Sequence, residues 1–187
     1  QQSVLSVLVP ELESNPLYRG IRFTDQTRNA KLARIGSFNG LWATLDLKEA
    51  SDRVHKDVVW RMLRSNSLLR AHVFDSRSAT SVLPDGILCP LWKFASMGSA
   101  LCFPIESMVF YAIVLMSMHR CFDTIPTPAT INYYSQGISI FGDDIIVPVD
   151  VVPYVLEDLQ LFKLKVNAAK SFWTGKFRES CGMDAYG

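Results

Sequence analysis

Two short apolar runs, Ile138-Ser139-Ile140-Phe141 and Ile145-Ile146-Val147, stand on either side of Gly142-Asp143-Asp144. Short runs of β-branched and aromatic residues favour strands, and glycine with aspartate favours a tight turn. The segment predicts a β-hairpin that carries adjacent carboxylates at its tip. Such carboxylates repel, and their apolar flanks make solvation a poor remedy. A cation beside the turn relieves the repulsion. An ordinary solvated turn is the alternative, because turns favour the same residues.

A third carboxylate bears on that choice. The stretch Leu41-Trp42-Ala43-Thr44-Leu45-Asp46-Leu47 reads as a strand, in which aspartate is a poor fit. If this strand pairs beside the hairpin, Asp46, Asp143 and Asp144 converge at one end of a sheet. Mg²⁺ takes oxygen ligands and keeps waters and substrate phosphates around it. Two such ions, about 4 Å apart, clamp the attacking and leaving oxygens of a phosphoryl transfer.

The rest of the pattern places this site. A helix is predicted after the Asp46 strand, with Ser51 as N-cap and Val54, Val58, Val59, Met62 and Leu63 on one face. Leu83-Pro84-Asp85-Gly86 reads as a turn. Residues 99–119 read as a largely buried helix; Pro104 and Glu106 interrupt the apolar stretch Leu101 to Met118, so no membrane span is expected. Val152 to Phe162 reads as an amphipathic helix and residues 172–187 as a second hairpin. Residues 1–40 are mixed, with turn formers at Asn15-Pro16, Arg19-Gly20 and Asn39-Gly40. The order implies an α+β class, an antiparallel sheet with helices on one face.

Composition narrows little further. Hydrophobic residues at 49% and charged residues at 20% suit one globular domain rather than a disordered chain. A net charge of +1 gives no argument for a nucleic-acid partner. Cys89, Cys102, Cys121 and Cys181 form no C-x-x-C pair, and His55, His72 and His119 are scattered, so zinc has no support. The spread of cysteines fits a reducing compartment. The start has no secretory pattern.

Five motifs in order carry a family resemblance. Asp46-Leu47-Lys48-Glu49-Ala50-Ser51-Asp52 resembles polymerase motif A. Ser96-Met97-Gly98-Ser99, with Ile105-Glu106-Ser107 in the helix after it, resembles motif B. Ile140 to Ile146 resembles motif C, and Asn167-Ala168-Ala169-Lys170-Ser171-Phe172 the lysine-bearing motif D. Phe177-Arg178-Glu179-Ser180-Cys181-Gly182 is similar to the hairpin that follows. Together they resemble the replicase catalytic subunits of levivirus-type single-stranded RNA phages, over roughly residues 25–187.

The resemblance implies a right-handed polymerase. Residues 1–40 would lead from the fingers, and 41–187 would be the palm carrying motifs A to E. The basic nucleotide-channel segment is expected before Gln1 and the thumb after Gly187. The implied activity is template-directed RNA synthesis with two Mg²⁺ ions, for which Mn²⁺ can substitute. Asp46, Asp143 and Asp144 would hold the metals, and Lys170 would protonate the leaving pyrophosphate, Lys163 and Lys165 being rivals. Asp52 would sense the ribose, or simply favour a helix start. Ser96, Gly98 and Ser99 would form a loop under the templating base, although Ser99 stands where the family usually has asparagine. Arg178 would contact the primer strand, or pair with Glu179. Implied partners are template and product RNA, nucleoside triphosphates and host translation factors, in the cytoplasm of an infected bacterium. A mitovirus-like or narnavirus-like replicase, a reverse transcriptase palm and an inactive palm fragment are the alternatives.

Overall fold

The computed structural model describes residues 1–187. Its centre is a four-stranded antiparallel sheet built around β1 (Trp42–Lys48). On one side lies the hairpin of β4 (Ser139–Phe141) and β5 (Asp144–Pro148), and on the other the short β6 (Lys165–Val166). The register sets Thr44 opposite Ile146, Leu45 opposite Ile145 and Asp46 opposite Asp144.

Strand alternation sorts these side chains onto two faces. Ala43, Leu45, Leu47, Ile140, Ile145 and Val147 belong to one buried apolar cluster. That cluster also holds Ile105, Val109 and Ile113 of α6 (Cys102–Cys121) and Val155 and Leu159 of α8 (Val152–Leu161). Thr44, Asp46, Asp144 and Ser139 point to the opposite face. That face is covered too, by α2 (Thr27–Asn39) and by the hairpin of β7 (Phe177–Ser180) and β8 (Met183–Tyr186). The α+β class holds, but elements pack on both faces of the sheet rather than helices on one.

Three local readings change. The helix expected from Ser51 is two pieces, α3 (Ala50–Arg53) and α4 (Lys56–Met62), and His55 rather than Ser51 caps the second. The break comes from pairing: Val54 accepts from the Phe94 N–H, and the Lys56 N–H donates to Trp92. Helix α6 is unbroken for 20 residues because Pro104 falls in its first turn, where no N–H partner is lost. By length and composition it could cross a membrane, yet 72% of its apolar window is buried inside the fold. The mixed N-terminal region contains α1 (Gln2–Ser14) as well as α2. The remaining elements are α5 (Ser67–Asp75), the small hairpin of β2 (Thr80–Val82) and β3 (Leu88–Pro90), and α7 (Pro128–Ser135). The turn at Leu83–Gly86 closes the β2–β3 hairpin.

Candidate active site

The β4–β5 connection is two residues long, Gly142 and Asp143, since Phe141 pairs with Asp144. Gly142 has φ of 62°, which a tight hairpin of this kind asks of its first residue. A Cβ there would also run into the Phe103 ring of α6. The turn is thus pressed against the start of α6, and Asp143 is held at its tip.

Asp46 and Asp143 line one open cleft of about 420 Å³, with Lys48, Glu49, Arg53, Lys165, Asn167 and Lys170 around them. Asp46 is held by the chain beyond β6. The Asn167 side-chain amide donates to its Oδ2 at 2.8 Å, and the Asn167 N–H donates to its carbonyl at 2.8 Å. Ser171 accepts its N–H at 3.0 Å. Burial pushes the Asp143 carboxyl up from the usual range; the charges of Asp144 and Asp46 add to this, and Lys170 opposes it. Lys170 itself is half exposed and lies 3.8 Å from Glu179.

Asp144 behaves differently. Its carboxylate accepts from the Ser180 hydroxyl at 3.2 Å and from the Cys181 N–H at 3.1 Å, both in the β7–β8 hairpin. Burial raises its pKa, and those two donors oppose the rise. No three carboxylate, histidine or cysteine side chains come together as a metal-binding group. The expected convergence of three aspartates therefore reduces to two in the cleft, because Asp144 is turned to the hairpin. Two carboxylates suit Mg²⁺, which is commonly held by one or two and by substrate phosphates. Burial first, and then the charges of Asp144 and Asp46, disfavour a bare Asp143 carboxylate, and a cation in the cleft would oppose both.

The other expected residues are dispersed. Asp52 in α3 is paired with Lys93 at 2.5 Å and lies outside the cleft lining. Ser96, Gly98 and Ser99 lie in the turn before α6, with Gly98 at φ of 94° and nothing near its missing Cβ. Ser99 donates to the Gln1 side chain at 3.2 Å.

Arg178 is a correction. It is 0% exposed and donates to the carbonyls of Trp42, Thr174, Gly175 and Phe177. A guanidinium enclosed by backbone carbonyls is not free for an RNA strand, nor does it pair with Glu179. It ties β7 to β1.

Sequence reasoning misses Glu106, Asn29, Asn167 and Ser180. Glu106 is buried on α6, and burial, followed by the nearby Asp143 charge, pushes its carboxyl up to about 8. A charged residue within a predicted buried helix was the signal available for it. Asn29, Asn167 and Ser180 give none of that strength, being uncharged polar residues that break no local pattern.

The family model for the RNA replicase, beta-chain, matches residues 1–186. The RNA-directed RNA polymerase beta chain of Enterobacteria phage GA is 39% identical over 169 residues, covering 87% of this chain and 28% of that protein. The corresponding beta chain of Escherichia phage MS2 is 38% identical over 168 residues, covering 89% and 28%. The beta subunit of Escherichia virus Qbeta is 34% identical over 167 residues, covering 89% and 26%. The chain thus spans little more than a quarter of the length of these relatives. The resemblance drawn from five ordered motifs is borne out along almost all of the sequence, and the chain belongs to the RNA replicase, beta-chain, family.

Proposed function

We propose that this chain is the catalytic palm of an RNA-directed RNA polymerase that replicates a phage RNA genome in an infected bacterial cytoplasm. The observation that carries the proposal is the cleft in which Asp46 and Asp143 stand among Lys48, Lys165, Lys170 and Arg53. Paired carboxylates for a metal, ringed by cations for a polyphosphate, suit nucleotidyl transfer better than binding alone. The palm would comprise residues 41–187, entered from a fingers-side segment at 1–40.

Asp46 and Asp143 would hold Mg²⁺, or Mn²⁺ in its place, with Asp144 behind them. When bound, two such ions neutralise charge on the attacking and leaving oxygens. The chain's own residues do the rest. Asn167 fixes the Asp46 carboxylate. Lys48 and Lys165 draw in the nucleoside triphosphate, and Arg53 joins them once released from Glu49. The primer 3′-oxygen bonds to the α-phosphorus as the bond to pyrophosphate breaks, and the hydroxyl proton passes to solvent. Lys170, steered by Glu179, gives a proton to the departing pyrophosphate. Asp52 would reach a ribose hydroxyl once released from Lys93. The turn at Ser96, Gly98 and Ser99 would lie under the templating base. Template, product strand and host translation factors are the partners that this function calls for.

The test is primer extension on a homopolymer template, in the longest polypeptide that carries this chain. Asp143→Asn should lower elongation by at least about a thousandfold, the equivalent of several kcal/mol of metal stabilisation. Elongation at the unsubstituted rate would remove the metal from Asp143.

A further inference from the structure

Asp46 and Asp144 are direct cross-strand partners on one face of the sheet. Like charges placed so repel. Left alone, the Asp144 carboxylate would crowd Asp46 at the mouth of the cleft. It is held away from there by a buried hydrogen-bonded chain that starts on another strand.

The chain has one polarity. Ser139 donates to the Asn29 Oδ1 at 2.5 Å, which leaves the Asn29 amide nitrogen as donor. That nitrogen donates to the Ser180 hydroxyl at 3.2 Å. Ser180, having accepted there, has its single proton for Asp144. Ser139, Asn29 and Ser180 are 0%, 2% and 1% exposed. The second donor is set by the turn. Cys181 and Gly182 have φ of 51° and 71°, a pair of left-handed residues that closes the β7–β8 hairpin tightly. In that turn the Cys181 N–H reaches the other Asp144 oxygen. Polar groups this deeply buried are expensive unless all are satisfied, and here the satisfied chain ends on a carboxylate next to Asp143.

We propose that Asn29, Ser180 and the Cys181 amide are a positioning group, which turns Asp144 from Asp46 and leaves Asp46 and Asp143 to take the metal. The inference rests on the cleft being a metal site. It makes the β7–β8 hairpin part of the machinery, although none of its residues lines the cleft. A shift in that hairpin would be felt at the metal through two hydrogen bonds.

The test is Mn²⁺ binding to this chain without nucleotide, followed by electron paramagnetic resonance, with the fold checked by circular dichroism. Asp143→Asn is the control for the cleft, and should weaken binding at least about tenfold. Ser180→Ala removes a partner of Asp144, one step further back than a partner of a ligand itself, and should weaken it by up to about tenfold, the lower end for outer-shell partners. Ser180→Thr restores the hydroxyl and should recover most of the affinity. Loss in Asp143→Asn with none in Ser180→Ala would overturn the positioning role alone. No loss in Asp143→Asn would overturn the metal site, and the positioning role with it. If Ser180→Ala does not fold, hydrogen exchange at the Cys181 amide decides. Asp144→Ala removes its acceptor and should speed exchange at least about tenfold. An unchanged exchange rate would show that the amide does not hold Asp144.

Discussion

A single buried side chain shows how the acidic site is charged. Glu106 meets only the Cys102 thiol, at 3.8 Å and a weak donor, and its carboxyl is pushed up to about 8 by burial and by Asp143. In the unfolded chain a glutamate titrates near about 4.3. Between those values the folded chain binds a proton that the unfolded chain has lost, so stability falls as pH rises through that window. The raised Asp143 acts in the same direction. Glu106→Gln keeps the shape and removes the titration. The metal-free chain should lose denaturant resistance between about pH 5 and about pH 8, and the variant should lose less. Parallel pH slopes would show that Glu106 is hydrated. Asp46 is legible in the sequence because a charge inside an apolar strand pattern is out of place, and Asp143 and Asp144 because two adjacent carboxylates stand at a turn between apolar runs. Asn29 and Ser180 are not, because their contact joins positions 151 residues apart and neither breaks a local pattern.

Among the elements, those with an apolar stripe or a turn signal were legible, including both carboxyl-bearing strands, the buried α6 and the final hairpin. Helix α2 was not. Its buried positions are Asn29, Ala33, Gly36 and Ser37, at helical spacing but small or polar. Small residues are what the packing asks for, since a Cβ on Gly36 would come within 2.8 Å of the Trp42 Cβ. An apolar-period search does not see such a face. Arg178 was misjudged for a related reason. Arginine is seldom buried, and it takes a turn folded back over residues 174–177 together with the distant Trp42 carbonyl to receive it. Arg178→Met keeps the apolar stem and removes the donors. It should destabilise the chain by about 3 kcal/mol in denaturant melts, the scale of several buried acceptors left unpaired. Hydrogen exchange should quicken in β7 and β8 before it does in β5. A change under about 0.5 kcal/mol, typical of a surface site, would mean that the guanidinium is hydrated rather than buried.

At the scale of the whole chain, the core has no seam at residue 40. One apolar cluster joins Leu8 and Leu12 of α1 and Ile21 to Leu45, Ile140 and Ile145 of the sheet and to Phe110 and Val114 of α6. Ile21 bridges directly to Ile140, with the Ile140 N–H donating to Gly20 and the Arg22 N–H to Ile140. Arg28 donates to the carbonyls of Arg19, Gln136 and Ile138, fixing the approach to β4. Asn29 starts the α2 share of the Asp144 network. Residues 1–40 therefore belong to the same folding unit as the sheet. The chain should unfold in one transition, with circular dichroism and tryptophan fluorescence coincident. Residues 41–187 alone should lack that transition. Without α1 and α2, the apolar side chains under them and the polar face carrying Thr44, Ser139 and Ser180 would meet water, and a stability of about 5–15 kcal/mol is too small to absorb such losses. The comparison is a pair of melts at equal concentration, the whole chain against 41–187. A cooperative melt in the shorter chain, within a few degrees of the longer one, would show that the N-terminal helices are an added layer and that the sheet holds its carboxylates without them.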